Sequence, residues 1–209
     1  MTISTIQAIQ DQYKETQSLV MHVLEGLSPE QWVTQPVASA APLAFHVWHI
    51  AREADILHVL LLEAMQQPAQ QIWERNQMAA RWQFPVGSLG LLQSGLGMDE
   101  KDASLVPWPT QGDMMGYLRQ AFGAVNDTIS QLPPELPHVA LAPQTSAVFG
   151  GARTVERAIM RAIANGNRHL GIIGWLSTSP AASRYTNAPT FPIELDQNYA
   201  EFAGTFADR

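Results

Sequence analysis

PLAFHVWHIAREADILHVLLLE, Pro42 to Glu63, is the stretch that decides the fold. Leu43, Val47, Ile50, Ala54, Leu57 and Leu61 recur at alternating spacings of four and three. That is a helix period, and it makes a seam for packing against other helices. Ile56 and Leu60 widen the seam to roughly half the circumference at about 100° per residue. The spacing therefore predicts a central helix of a bundle. His46, His49 and Glu53 lie on the flank of the seam, three and four residues apart, so they share one stripe. Helical bundles build metal sites from inward-pointing side chains of this kind. A hydrogen-bonded core histidine is the other reading of each imidazole. His58 falls about 180° from His49 on the same helix and belongs to neither pattern.

Three further helices are predicted around this one. The first runs from about Ser4 to Glu25, with Ile6, Ile9, Tyr13, Val20, Val23 and Leu24 on its apolar face and a polar gap at Glu15 to Gln17. His22, near that face, reads as structural. Ser28-Pro29-Glu30-Gln31 is a helix start, with Ser as N-cap, Pro at the first position and Gln at the third. A third helix is expected from about Gln111 to Leu132, where Leu118, Phe122, Val125, Ile129 and Leu132 keep the bundle spacing before Pro133 and Pro134 end it. The last helix is expected to start at Thr154 as N-cap with Glu156 in its first turn. Its seam reads Val155, Ala158, Ala162, Asn165, His169 and Ile172, while Arg157, Arg161 and Arg168 share a face read as solvated. Asn165-Gly166-Asn167 is a turn signal on local grounds. The seam keeps register on both sides of it, so the helix is read as continuous. The expected architecture is all-α, a four-helix bundle of up-down-up-down type.

Two segments resist the periodic reading. From about Gln66 to Thr110 the pattern weakens into possible short helices and a run of Gly and Pro. A connection of that length is unusual inside a compact domain and often functional. It is either a surface excursion that packs Trp73, Trp82 and Phe84 onto the bundle or a lid over a site. Beyond residue 178 the pattern fails, so the bundle domain is set at 1–178. Residues 179–209 are an irregular tail that Tyr199 and Phe202 are expected to anchor to the bundle or to a second subunit.

Composition narrows the function classes. The chain has 209 residues, 46% hydrophobic and only 15% charged, which implies wide burial or a covered surface and points to a homodimer or larger homo-oligomer. A net charge of −7 without a basic cluster argues against nucleic acid as a partner. No apolar run is long enough to span a membrane, and the N-terminal residues do not read as a signal peptide, so a cytoplasmic protein is expected. There is no cysteine, which removes disulfides, zinc–thiolate sites and a Cys nucleophile.

His49 on the central helix, and Asn165 with His169 at i, i+4 on the last one, are the residues that could meet across the core. Neutral imidazole suits zinc, nickel and iron. Three protein ligands with one open position is the pattern of catalytic metal sites. Trp48-His49-Ile50-Ala51-Arg52 followed by Asp55 is similar to the WHLARxxD motif of the DinB-like superfamily, also known as the YfiT-like metalloenzymes. Leu27 to Trp32 resembles the segment after that family's first helix. Ile72-Trp73 and Arg81-Trp82-Gln83-Phe84-Pro85 resemble the long connection of one branch, and Arg168-His169-Leu170-Gly171 resembles its closing H-x-G motif. The resemblance covers about residues 1–178. It implies a four-helix bundle that holds a divalent metal, zinc or nickel, with His49, Asn165 and His169.

The family usually has His or Asp where Asn165 stands. A neutral amide oxygen is a weaker ligand than imidazole or carboxylate, and His46 and Glu53 flank His49 as possible replacements. The resemblance implies a metal-dependent enzyme acting on a small molecule, such as a thiol-dependent transferase or isomerase, or a hydrolase. The alternatives are a non-catalytic small-molecule-binding bundle with a weakened metal site, and an oligomerising bundle whose histidines are core residues.

Overall fold

The long helices form where the seams predict them. The structure, a computed structural model, describes residues 5–35, 37–141 and 147–178. In chain order the helices are α1 (Thr5–Glu25), α2 (Pro29–Trp32), α3 (Leu43–Ala64), α4 (Ile72–Arg75), α5 (Met78–Arg81), α6 (Glu100–Leu105), α7 (Gln111–Ser130) and α8 (Val155–Thr178). Among the described residues no sheet forms, only two isolated bridges, Leu91 to Leu96 and Ala140 to Thr154. The tail with Tyr199 and Phe202 lies outside the described residues.

Local chemistry accounts for the ends. Ser28 and Gln31 cap each other reciprocally, Gln31 N–H donating to Ser28 Oγ at 3.3 Å and Ser28 N–H to Gln31 Oε1 at 2.7 Å, with Pro29 opening α2. Thr110 caps α7 by accepting from Asp113 N–H at 3.2 Å.

α3 and α1 each pack against both α7 and α8. The hydrogen bonds between them fix their directions. Gln10 donates to the Asn126 carbonyl and Gln111 to the Leu24 carbonyl, so α1 and α7 are antiparallel. Arg52 meets Tyr117 and His58 meets Thr128, so α3 and α7 run parallel. His46 meets His169 and Asn165 meets His49, so α3 and α8 are antiparallel. The order is therefore up-down-down-up, which corrects the up-down-up-down expectation. The reason is the connection of residues 65–110. α3 has 22 residues and is about 33 Å long at 1.5 Å per residue. A short loop would start the next helix where α3 ends, whereas the long connection carries the chain back before α7 begins.

That connection also buries α3 more fully than half its circumference. Every residue from Val47 to Leu57 is buried. Trp73 and Phe84 are buried in their turn, and the Trp48 ring meets Trp73, Phe84 and Trp108 at centroid distances of 5.9, 5.7 and 5.6 Å. Aromatic pairs at such distances add to their area burial. The packing alternative is the one realised for Trp73 and Phe84, with Trp82 half-buried beside them.

α8 passes through Asn165-Gly166-Asn167 without a break. The two Asn side chains bond to other helices rather than to their own backbone, which is what makes Asn a turn former. Asn165 Nδ2 donates to His49 and Asn167 Oδ1 accepts from Thr16 Oγ1 at 3.2 Å. Gly166 costs about 1 kcal/mol against Ala in a helix interior. A Cβ there would lie 3.2 Å from Thr16 Cγ2, so the glycine admits the close approach of α1.

Candidate functional site

Two buried polar groups stand one turn apart on α3, and both depend on a small knot in the connection, residues 89–97. The knot is closed by Leu91 N–H donating to Leu96 O at 2.9 Å and Gly95 N–H to Leu89 O at 2.8 Å. Ser94 braces it from inside, its hydroxyl donating to Leu91 O at 2.7 Å and accepting from Leu96 N–H at 3.2 Å. Leu92 and Gln93 are in the left-handed region at φ 51° and 52°. Such a conformation costs a non-glycine residue on the order of 1–3 kcal/mol. It turns three successive carbonyls, those of Leu92, Gln93 and Ser94, onto α3. Gly95, at φ 88°, allows the approach, because a Cβ would lie 2.9 Å from Phe45 Cε2 and 3.0 Å from Trp48 Cζ3.

The first group is Arg52 with Asp55 and Tyr117. Arg52 is 0% exposed, and all of its donor nitrogens are engaged. Nε donates to Gln93 O at 2.8 Å, Nη2 to Leu92 O at 2.9 Å and to Gln71 Oε1 at 2.6 Å, and Nη1 to Asp55 Oδ2 and Tyr117 Oη at 3.1 Å each. Asp55 accepts Ile72 N–H and Trp73 N–H at 2.8 Å and Tyr117 O–H at 2.9 Å, which caps α4. Burial, the largest effect, pushes the Tyr117 hydroxyl well above its ordinary value. Arg52 of the WHIAR run and Asp55 after it thus organise the long connection, a role that α3's own sequence does not signal.

The second group is the histidine pocket between α3 and α8. His49 Nδ1–H donates to the Ser94 carbonyl at 2.6 Å. That leaves Nε2 with a lone pair, 2.9 Å from Asn165 Nδ2 and 3.6 Å from Glu53 Oε1. His169 is 3% exposed and its ring centroid is 4.6 Å from that of His49. His46 and His169 face each other through Nδ1 atoms 2.9 Å apart, so one donates and the other accepts. Arg168 Nη2 donates to His169 Nε2 at 3.2 Å, which assigns the proton of neutral His169 to Nδ1.

Burial, aided by His49 and the Arg168 guanidinium, holds His46 down at about 3. Burial, with His49, His46 and Arg168, holds His169 well below the ordinary imidazole value. Burial raises Glu53, opposed by His49, by a hydrogen bond from Asn165 and by Arg168. Tyr13 on α1 is raised by its burial and then by the neighbouring Glu53 carboxyl.

The structure brings His49, Asn165 and His169 to one place, with His46 and Glu53 beside them. His58 faces α7 instead, its Nδ1 2.7 Å from Thr128 Oγ1. Arg168 is exposed, as expected of its face, and its guanidinium also reaches back to His169. The Ser94 carbonyl and Tyr13 were not singled out by sequence. A backbone carbonyl carries no residue signal at all, and Tyr13 is legible only as an apolar seam position.

The donors fit a divalent metal in kind. They are imidazoles, one of them oriented by a backbone carbonyl as metal-ligating histidines usually are. Two ligands of one tetrahedral ion at 2.0–2.2 Å stand roughly 3.3–3.5 Å apart, and the His49 Nε2 to Glu53 Oε1 separation of 3.6 Å is close to that. Among the described residues no three His, Cys, Asp or Glu side chains are grouped to hold one ion. An ion held by His49 and His169 would need Asn165 to turn its Oδ1 toward the imidazoles, in place of the Nδ2 that now meets His49. A separate open groove of about 510 Å³ between α1 and α7 is lined by Lys14, Gln17, Arg119 and Asn126 among others, and by neither His49 nor His169.

The fold and pocket define an all-α protein of four long helices with an imidazole cluster between the second and fourth of them. The sequence profile of the DinB superfamily matches residues 12–173, and the chain belongs to that superfamily. A solved structure of a conserved protein from Enterococcus faecalis is similar in fold, with a TM-score of 0.66 at 12% identity over 84% of this chain and 96% of that one. At that identity the likeness speaks to the fold alone. No curated protein matches the chain. Among the described residues no helix is long and apolar enough to cross a membrane.

Proposed function

We propose that the histidine pocket binds a divalent transition metal, zinc or nickel, with low affinity, and that the protein uses it on a small-molecule substrate. His49 Nε2 and His169 Nε2 are the main ligands, once Asn165 and Arg168 give up their hydrogen bonds to them, and Asn165 Oδ1 is the weak third. The observation that carries this reading is the hydrogen bond from His49 Nδ1–H to the Ser94 carbonyl, which directs a lone pair into a pocket of neutral imidazoles. A metal held there would stabilise a thiolate or polarise a carbonyl. With no cysteine in the chain, a thiol for a transferase or isomerase has to come from a separate small molecule. Glu53, raised by burial, is the group placed to hold a proton beside His49. A homodimer, with a surface covered by the second copy, accords with the low charged fraction.

The second reading is a bundle that binds small molecules without metal. It is favoured by the internal partners of the imidazoles, since Asn165 and Arg168 already donate to them. Calorimetric titration of the metal-free protein with zinc and with nickel decides between the two. Binding in the wild type that is lost in His169→Ala supports the first. Equal metal content in the wild type and His169→Ala sinks it.

A further inference from the structure

The motif on α3 couples its arginine to its histidine through the backbone of a distant loop. Arg52 takes the Leu92 and Gln93 carbonyls with Nη2 and Nε, and the next carbonyl along, Ser94 O, takes the proton of His49 Nδ1. Successive carbonyls are linked by two soft dihedrals per residue. Arg52 fixes two of them at 2.8 and 2.9 Å. The third shares its peptide with Gly95 N–H, which donates to Leu89 O at 2.8 Å, so the closed knot carries the constraint from the guanidinium to Ser94 O. The knot is left-handed at Leu92 and Gln93, a backbone that persists only where its surroundings over-determine it. Arg52 supplies that constraint from one side, and the Phe45 and Trp48 rings against Gly95 supply it from the other.

We propose that Arg52 is a positioning residue for His49: through the knot of residues 89–97 it fixes the Ser94 carbonyl, and thereby the Nδ1-protonated tautomer that presents Nε2 to the pocket. The proposal deepens the metal reading, and it rests on His49 as the ligand only for its consequence, since the tautomer is a property of the metal-free protein. A side chain that served packing alone would leave the His49 tautomer unchanged when altered.

The test is nitrogen-15 NMR of the imidazoles in the metal-free protein, which separates a protonated from an unprotonated ring nitrogen. The wild type should show His49 protonated at Nδ1 and free at Nε2. Arg52→Lys keeps the charge opposite Asp55 but cannot span two carbonyls, so a His49 population protonated at Nε2 should appear. Zinc affinity, where the wild type binds zinc, should fall about 10–100-fold, as for other partners of metal-ligating histidines. Gly95→Ala displaces the Ser94 carbonyl without touching Arg52 and should shift the same tautomer, so it decides the matter if Arg52→Lys does not fold. Tyr117→Phe loses its bonds to Arg52 and Asp55 but does not touch the knot, and should leave the tautomer as in the wild type. A wild-type His49 protonated at Nε2, or an unchanged tautomer in folded Arg52→Lys or Gly95→Ala, overturns the proposal. A wild type that binds no zinc or nickel overturns the metal reading and leaves the tautomer result standing.

Discussion

Arg52 and His49 stand one turn apart on α3, both buried, and their surroundings differ. Around Arg52 every donor has an acceptor, and the Asp55 charge is matched by the guanidinium and several N–H and O–H groups. Around His49 the neighbours are the Ser94 carbonyl, the His169 ring, an amide and a carboxyl whose proton affinity burial has raised. A buried ion pair with all its hydrogen bonds made is a fixed structural unit. A cluster of imidazoles that hydrogen-bond to one another, to an amide and to a guanidinium is one that a cation or a proton can reorganise. The contrast separates the half of the motif that builds the protein from the half whose partners can rearrange.

The comparison breaks most visibly at Asp55. Asp55→Ala leaves Arg52 uncompensated and uncaps α4, and should cost about 3–5 kcal/mol of stability in urea unfolding. A loss under about 1 kcal/mol would mean that the network is not a unit.

Acid should act on the other group. The folded protein holds His169 well below, and His46 near 3, against an unfolded value of about 6.5. Below pH 6.5 the unfolded chain therefore binds protons that the folded one refuses, and stability falls as pH falls through that window. Glu53 works in the opposite sense, because its raised folded value favours the folded state at low pH and loses that contribution as pH rises above about 4.5. His46 is partly exposed, so His169 carries the larger share. The net slope for the metal-free protein should be on the order of 1–2 kcal/mol per pH unit between pH 6 and 5. A series of denaturant midpoints against pH should show that slope flattened in His169→Ala. An equal slope in the two proteins would remove His169 from the account.

Asn165→His sharpens the contrast by giving the pocket the ligand it lacks. Zinc or nickel affinity should rise about tenfold or more, equal to about 1.4 kcal/mol. A titration showing no gain would mean that the residue does not face the ion. The smallest effect is expected at His58, which touches Thr128 and not the pocket. His58→Ala should lose about 1 kcal/mol with the hydrogen bond and leave metal content, measured by atomic emission, as in the wild type.

Much of the fold was legible because helix periodicity is local. The seam from Leu43 to Leu61, the Ser28 cap and the stops at Pro133 and Pro134 each follow from neighbouring residues. So does the placing of His49 on one face of α3 and of Asn165 and His169 on one face of α8. The continuous register through Gly166 was legible too, since a seam preserved on both sides outweighs a three-residue turn signal. Tertiary structure alone decided the direction of α7, which depends on how far the connection travels before the next helix starts. It also decided that Arg52 and Asp55 hold the connection, that Arg168 turns back to His169, and that Asn165 presents its amide nitrogen to His49. The partners in these cases are loop carbonyls and side chains from distant segments. A carbonyl is present at every residue, so nothing in the sequence marks the Ser94 carbonyl as the acceptor for His49. Only the path imposed by aromatic packing and by the left-handed turn at Leu92 and Gln93 puts it there.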